Sequence, residues 1–208
     1  MQNRLMDAGV LDQKLQSELD ALWKYGVSRI QDTALRETIE GFLCIVPVIF
    51  FIGPASRSGH LHPPWQHGRY GTLRSIIESC VLVPAMAHYI PELLDEDLQP
   101  DPYAIDIALG ATIISDTWKK EDFGDIHYGP EHGRVAAKKW RKFAADAELH
   151  FQIIEDVAQG SIWHYGVYTP GWKPDTPLSG IAKLVNLCDA ITAQPALALI
   201  YEGKVVIT

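Results

Sequence analysis

Little in this chain of 208 residues points to covalent cross-linking. Its three cysteines (Cys44, Cys80, Cys188) stand apart in apolar surroundings, with no Cys-x-x-Cys pair. That excludes a zinc ribbon and a disulfide framework, and reads as buried thiols in a reducing compartment. Long apolar runs are also missing: the longest, residues 42–52, falls short of the roughly 20 residues a membrane span needs. No basic-then-apolar leader opens the chain, since residues 1–16 are polar. Positive charge is scarce, with 18 Lys and Arg against 26 Asp and Glu and a net charge of -8. A general nucleic-acid or anionic-membrane binder is thereby excluded, though a local basic pocket is not. Internal repeats, low-complexity tracts and linkers are absent too. The expectation is one cytoplasmic domain spanning 1–208, with no membrane partner and with homo-oligomerisation left open.

What remains is ordinary globular composition, 47% hydrophobic and 21% charged, in a chain long enough for one substantial core. Apolar spacing predicts an all-α bundle of six to seven helices. The first covers 11–24, with Leu11, Leu15, Leu19 and Leu22 on one face. Others are expected over 28–43, 72–89 (bent at Pro84), 103–118, 131–149 (opened by Pro130), 151–164 and 178–200, with one short strand over 204–208. Residues 1–49 read as packing. Between them, residues 53–71 carry four glycines, three prolines and three histidines, too many breakers for regular structure. A loop that long inside a compact domain is usually functional or mobile.

Chemistry concentrates in the stretch 110–120, Gly-Ala-Thr-Ile-Ile-Ser-Asp-Thr-Trp-Lys-Lys. An apolar run over 105–114 ends on an acid, Asp116, with the base Lys119 three residues on and on the same helical face. A carboxylate so close to a core is costly unless paired or coordinated, although an ordinary helix end with solvated charges is the plainer alternative. Asp189 lies in the other strongly apolar helix, and His132 and His164 fall at a helix start and a helix end. Short-linked antiparallel helices can gather four such groups in a bundle interior. Mixed carboxylate and imidazole donors suit Mn, Fe, Mg or Zn. The loop histidines His60, His62 and His67 lack a neighbouring Cys or carboxylate, and hydrogen bonding is their commoner use. The basic cluster Lys138, Lys139, Arg141 and Lys142 suits phosphate, or equally a solvated helix face. Trp65, Tyr70, Trp118, Trp163 and Trp172 offer rings for stacking on a base or for core packing.

The order of these elements resembles the HD-domain phosphohydrolase superfamily, all-α metal-dependent phosphatases and phosphodiesterases. Ile-Ile-Ser-Asp-Thr-Trp-Lys stands where the family has a His-Asp doublet followed by Lys. Pro-Glu-His-Gly at 130–133 resembles its second-histidine segment, and Leu-Cys-Asp-Ala-Ile-Thr-Ala at 187–193 its closing aspartate helix. Phe-Phe-Ile-Gly-Pro-Ala-Ser at 50–56, with the glycine-rich loop after it, resembles what precedes the family's first histidine. The likeness covers roughly residues 50–195. It implies an HD-type bundle, a metal held by Asp116, His132, His164 and Asp189, catalytic roles for Asp116 and Lys119, and a phosphate bound by Arg69, Arg74 and Lys119. The implied activity is hydrolysis of a nucleotide or related phosphate ester by a metal-activated water. Two expected histidine ligands are replaced, by Ser75 and Ser115, and a hydroxyl is a poor neutral ligand for a transition ion. Three outcomes follow: one ion remains where the family holds two, a loop histidine takes over, or no metal is held and the degenerate pocket binds a nucleotide or a protein partner without hydrolysis.

Overall fold

The computed structural model describes residues 1–55, 62–119 and 129–194, together with the backbone of two strands near the C-terminus. Among them the fold is all-α apart from that hairpin. The helices are α1 (Gln2–Asp7), α2 (Gln13–Tyr25), α3 (Thr33–Leu43), α4 (Val48–Ile52), α5 (Gly71–Met86), α6 (Pro102–Ser115), α7 (His132–Asp146), α8 (Phe151–Ile162) and α9 (Gly180–Thr192). Strand β1 (Leu197–Ile200) pairs antiparallel with β2 (Lys204–Ile207), Leu197 opposite Ile207.

Two short helices, α1 and α4, lie outside the six or seven expected from periodicity, because each is a single turn or so and too short to show a period. The helix expected over 28–43 starts only at Thr33. Val27–Arg29 closes a separate 3-10 turn, and the Asp32 side chain caps α3 by accepting from the Leu35 amide at 2.8 Å. The helix expected over 178–200 ends at Thr192. Pro195 disfavours helical backbone before it, and the apolar run beyond joins a hairpin instead. Cys80 and Cys188 are buried as expected, but Cys44 is exposed, being the C-terminal cap of α3 at the surface.

Helix α6 is the axis of the bundle. Asp101 caps it through the Tyr103 amide at 3.0 Å, Pro102 pre-sets its first turn, and from Ile107 to Ser115 every residue is buried. Helices α5, α7, α8 and α9 pack around it. The crossing with α8 depends on Gly160, where a Cβ would stand 2.6 Å from that of Ala111. One buried acid of α6, passed over within its apolar run, is structural. The Asp106 carboxylate accepts from the Gln31 amide at 2.9 Å and the Asp32 amide at 2.7 Å, and so ties the start of α3 to the axis. The N-terminal helices share the core, since one cluster of buried apolar side chains runs from Leu5 to Cys188. Within it Phe42 of α3 meets Trp118, Trp140 and Phe143, with ring centroids 5.4, 5.5 and 5.6 Å away.

The loop ahead of α5 is described from residue 62, so His60 lies outside the described residues. What is described is pinned by backbone bonds from Ala55 N to Gln66 O, Tyr70 N to Ile52 O and Thr72 N to Gly53 O. Gly71 makes this closure possible, because a Cβ there would fall 1.8 Å from the Gln66 carbonyl oxygen.

Candidate metal centre

Asp116 is the C-terminal cap of α6 and is 2% exposed. Two things weigh against a carboxylate there: burial, and the partial negative charge of a helix C-terminus. Trp118, packed on Phe42, fixes the turn that carries it. His132 opens α7 and His164 follows the end of α8, and both are buried. These two helix ends meet because residue 133 is glycine: a Cβ there would lie 2.6 Å from the Ser161 carbonyl oxygen and 2.9 Å from His164 Nδ1.

Three ligand atoms converge. Asp116 Oδ1 stands 2.8 Å from His132 Nε2 and 3.6 Å from His164 Nε2, and the two Nε2 atoms are 3.0 Å apart. On the far side of each ring, Nδ1 faces a carbonyl, that of Gly129 for His132 and that of Ser161, at 2.7 Å, for His164. A carbonyl only accepts, so each Nδ1 carries a hydrogen, and each neutral ring turns a lone pair inward. Asp116 Oδ1 has no hydrogen-bond partner among the described residues. Three buried lone pairs pointed at one another demand a cation or a proton. Their spacing is close to the roughly 3.0 to 3.4 Å between neighbouring donors on an ion with bonds of about 2.1 Å. The cluster fits a metal ion.

Electrostatics agree. Burial opposes charge on Asp116, but the Lys119 ammonium and the two imidazoles outweigh it and hold the carboxyl well below its usual range. Burial, aided by the charges of His164 and Lys119, keeps His132 below the ordinary imidazole value. For His164 burial acts downward too, yet Asp116, 3.6 Å away, and the charge of Asp189 carry it upward.

Lys119 stands 2.7 Å from Asp116 Oδ2 and donates to the Ala55 carbonyl at 3.0 Å. Asp189, on α9, is near enough for His164, Asp116 and Lys119 to act on its charge, and burial pushes its carboxyl up to about 6. Its carboxylate is not among the converging ligand atoms, and the hydrogen bonds of the residue to described neighbours, from Thr192 Oγ1 and the Ala193 amide, go to its carbonyl. Ser115 Oγ turns back to the Thr112 carbonyl at 2.9 Å, and buried Ser75 Oγ has no partner among the described residues. Neither serine is hydrogen-bonded to the trio.

Arg69 and Arg74, expected on phosphate, are engaged elsewhere. Arg69 pairs with Asp12 at 3.3 Å, and Arg74 with Glu18 at 2.7 Å and the Trp65 carbonyl at 2.9 Å. Both bind the loop to α2. The basic cluster of α7 is a surface face: Arg141 pairs with Glu155 and Lys142 with Asp146, each at 2.8 Å, while Trp140 is core. Of the rings offered for stacking, Trp118 is buried in the core, Trp65 donates to Glu78 and Tyr70 to Asp12. The ring that does face the centre is Tyr165, stacked on His164 at 4.5 Å and edge-on to His132 at 5.1 Å. Sequence reading missed it. Its one signal is adjacency to His164. No family model matches the chain, and no curated protein or solved structure does either.

Proposed function

We propose that this chain is a metal-dependent phosphohydrolase of the HD-domain type, acting on a nucleotide or related small phosphate ester. The observation that carries the reading is the convergence of Asp116 Oδ1, His132 Nε2 and His164 Nε2 as buried, inward lone pairs beside a fixed ammonium. Two imidazoles with one carboxylate favour Mn, Fe or Zn over Mg. A bound ion of this kind lowers the pKa of a water and polarises a phosphoryl oxygen. Asp116, His132 and His164 would hold it, and Asp189, outside the three converging atoms, is the further acid that the family likeness implies. One ion is expected rather than two, since Lys119 already occupies the second oxygen of Asp116 and Ser115 faces its own helix. The Lys119 ammonium has three N–H donors, of which Asp116 and Ala55 take two. The third can hold a phosphate oxygen and offset the charge that develops there.

A second reading, a degenerate pocket that binds a nucleotide or a protein partner without hydrolysis, draws on the two serines in place of imidazoles. Metal analysis of the purified protein, followed by a Mn-supplemented screen of nucleotides and phosphomonoesters, separates the two. The hydrolase reading expects metal and turnover, both lost in Asp116→Asn. Absence of both, together with thermal stabilisation by a nucleotide, sinks it in favour of the binder.

A further inference from the structure

Next to the trio runs a second buried polar chain that metal holding does not use. Glu78 of α5 is 1% exposed and accepts from Trp65 Nε1 at 3.0 Å and from Gln66 Nε2 at 2.5 Å. Gln66 is itself fully buried. With its amide nitrogen held by the carboxylate, its oxygen faces Nδ1 of His62 at 2.8 Å. An amide oxygen only accepts, so His62 carries its hydrogen on Nδ1, and Nε2 of the neutral ring is a lone pair. That Nε2 has no hydrogen-bond partner among the described residues.

The chain is anchored to the centre. Lys119 Nζ donates to the Ala55 carbonyl and the Ala55 amide donates to the Gln66 carbonyl, each at 3.0 Å. Gln66 Nε2 also reaches the Thr192 carbonyl of α9 at 3.5 Å, and His67 donates from its ring to the His62 carbonyl. His62 is 7% exposed and lies close enough to Lys119 and Asp116 for both charges to act on it. Burial and the Lys119 ammonium hold its basicity below the ordinary imidazole value, which favours the neutral ring with Nδ1–H donating to Gln66 and Nε2 left as an acceptor. Burying a carboxylate, an amide and an imidazole in one line costs desolvation that apolar packing would avoid. A fixed tautomer is what the line achieves.

We propose that Glu78 and Gln66 are positioning residues that hold His62 in the Nδ1–H tautomer, and that His62 Nε2 takes the proton of the water that attacks phosphorus. The proposal rests on the hydrolase reading above. In the step, a water O–H bond breaks and its proton goes to Nε2 while the water oxygen bonds to phosphorus. The bond from phosphorus to the ester oxygen breaks with its electron pair on that oxygen. The proton then passes from Nε2 to the leaving oxygen, and the ring is neutral again.

The test uses the full chain labelled with 15N-histidine, as wild type, His62→Gln, His62→Gly, Gln66→Leu and Glu78→Gln. Long-range proton–nitrogen spectra read the tautomer without any turnover: His62 is expected as Nδ1–H in the wild type and as a tautomer mixture in Gln66→Leu. With p-nitrophenyl phosphate and Mn, His62→Gln is expected to lower kcat about 100-fold, the usual reach of a general base, with KM and Mn affinity within about twofold. Added imidazole should restore part of the activity of His62→Gly. An Nε2–H tautomer in the wild type, or an unchanged kcat in His62→Gln, overturns the proposal. So does a loss of Mn affinity in His62→Gln that matches its loss of kcat, which would make His62 a ligand. A wild type that binds Mn and hydrolyses nothing overturns the hydrolase reading and the proton-transfer role together, while the spectra still decide the relay.

Discussion

Asp116 shows how a single side chain sets the terms for its neighbours. Placed at a helix C-terminus and out of water, its charge is offset at one oxygen by the Lys119 ammonium, while the other oxygen faces two imidazole nitrogens and leaves a place for a cation or a proton. An ion needs the inward Nε2 lone pairs of His132 and His164, so a proton held among the three atoms must leave when the ion binds. Mn affinity is therefore expected to fall as pH is lowered, and titration calorimetry in buffers of different ionisation enthalpy should register proton release. Equal heats in all buffers would show that the trio holds no proton for the ion to displace. Glu78 makes a separate prediction. Burial lifts its carboxyl from 4.5 to about 7, against the donation of Trp65 and Gln66. The folded state thus binds that proton more tightly than the unfolded state, so its contribution is fully present below pH 4.5 and is lost as pH rises through about 7. The shift corresponds to about 3 kcal/mol, and Glu78→Gln should flatten the stability profile between pH 5 and 7 in denaturant titrations. Asp116, His132, His164 and Lys119 were visible in the sequence as residue types in a telling order. Which ring nitrogen faces inward was not, because the carbonyls of Gly129 and Ser161 that fix it carry no side-chain signature.

At the level of elements, the centre exists because the start of α7 and the end of α8 approach within the width of a glycine. Gly133→Ala would press a methyl group against the Ser161 carbonyl and the His164 ring. The expected result is a loss of about 1 to 3 kcal/mol in stability from overpacking. Mn affinity should fall at least about tenfold as the His164 ring is displaced, measured by calorimetry beside thermal melts. A melt that shifts with unchanged affinity would show that the ring is not held by this contact. Helix identities were readable from apolar spacing. The ends were less so, because caps and 3-10 turns act over three or four residues: Val27–Arg29 shortened one helix, and strand pairing claimed the apolar tail of another. The partners of Arg69 and Arg74 were not legible at this level, since Asp12 and Glu18 lie far upstream on or beside α2.

For the molecule as a whole, the N-terminal helices are joined to the bundle through one buried cluster and through Asp106. Removing that carboxylate strands the Gln31 and Asp32 amides. Asp106→Ala should cost about 2 to 4 kcal/mol, from two donors left unsatisfied. Because the core is shared, a single unfolding transition is expected to persist, and urea titration followed by both circular dichroism and tryptophan fluorescence tests this. Two separated transitions would divide residues 1–49 from the rest. Among the described residues no helix is long and apolar enough to cross a membrane.

Local pattern was enough to declare an all-helical chain, a break-rich loop before α5, and an acid–base pair at the end of an apolar helix, because each depends on spacing within one or two turns. The meeting of Asp116 with two histidines far downstream, the capture of Arg69 and Arg74 by α2, the place of Tyr165 over the rings and the line from Glu78 to His62 depend on how helices cross. Those crossings are set by glycine-sized contacts and by backbone carbonyls, which chain order does not encode in any local form.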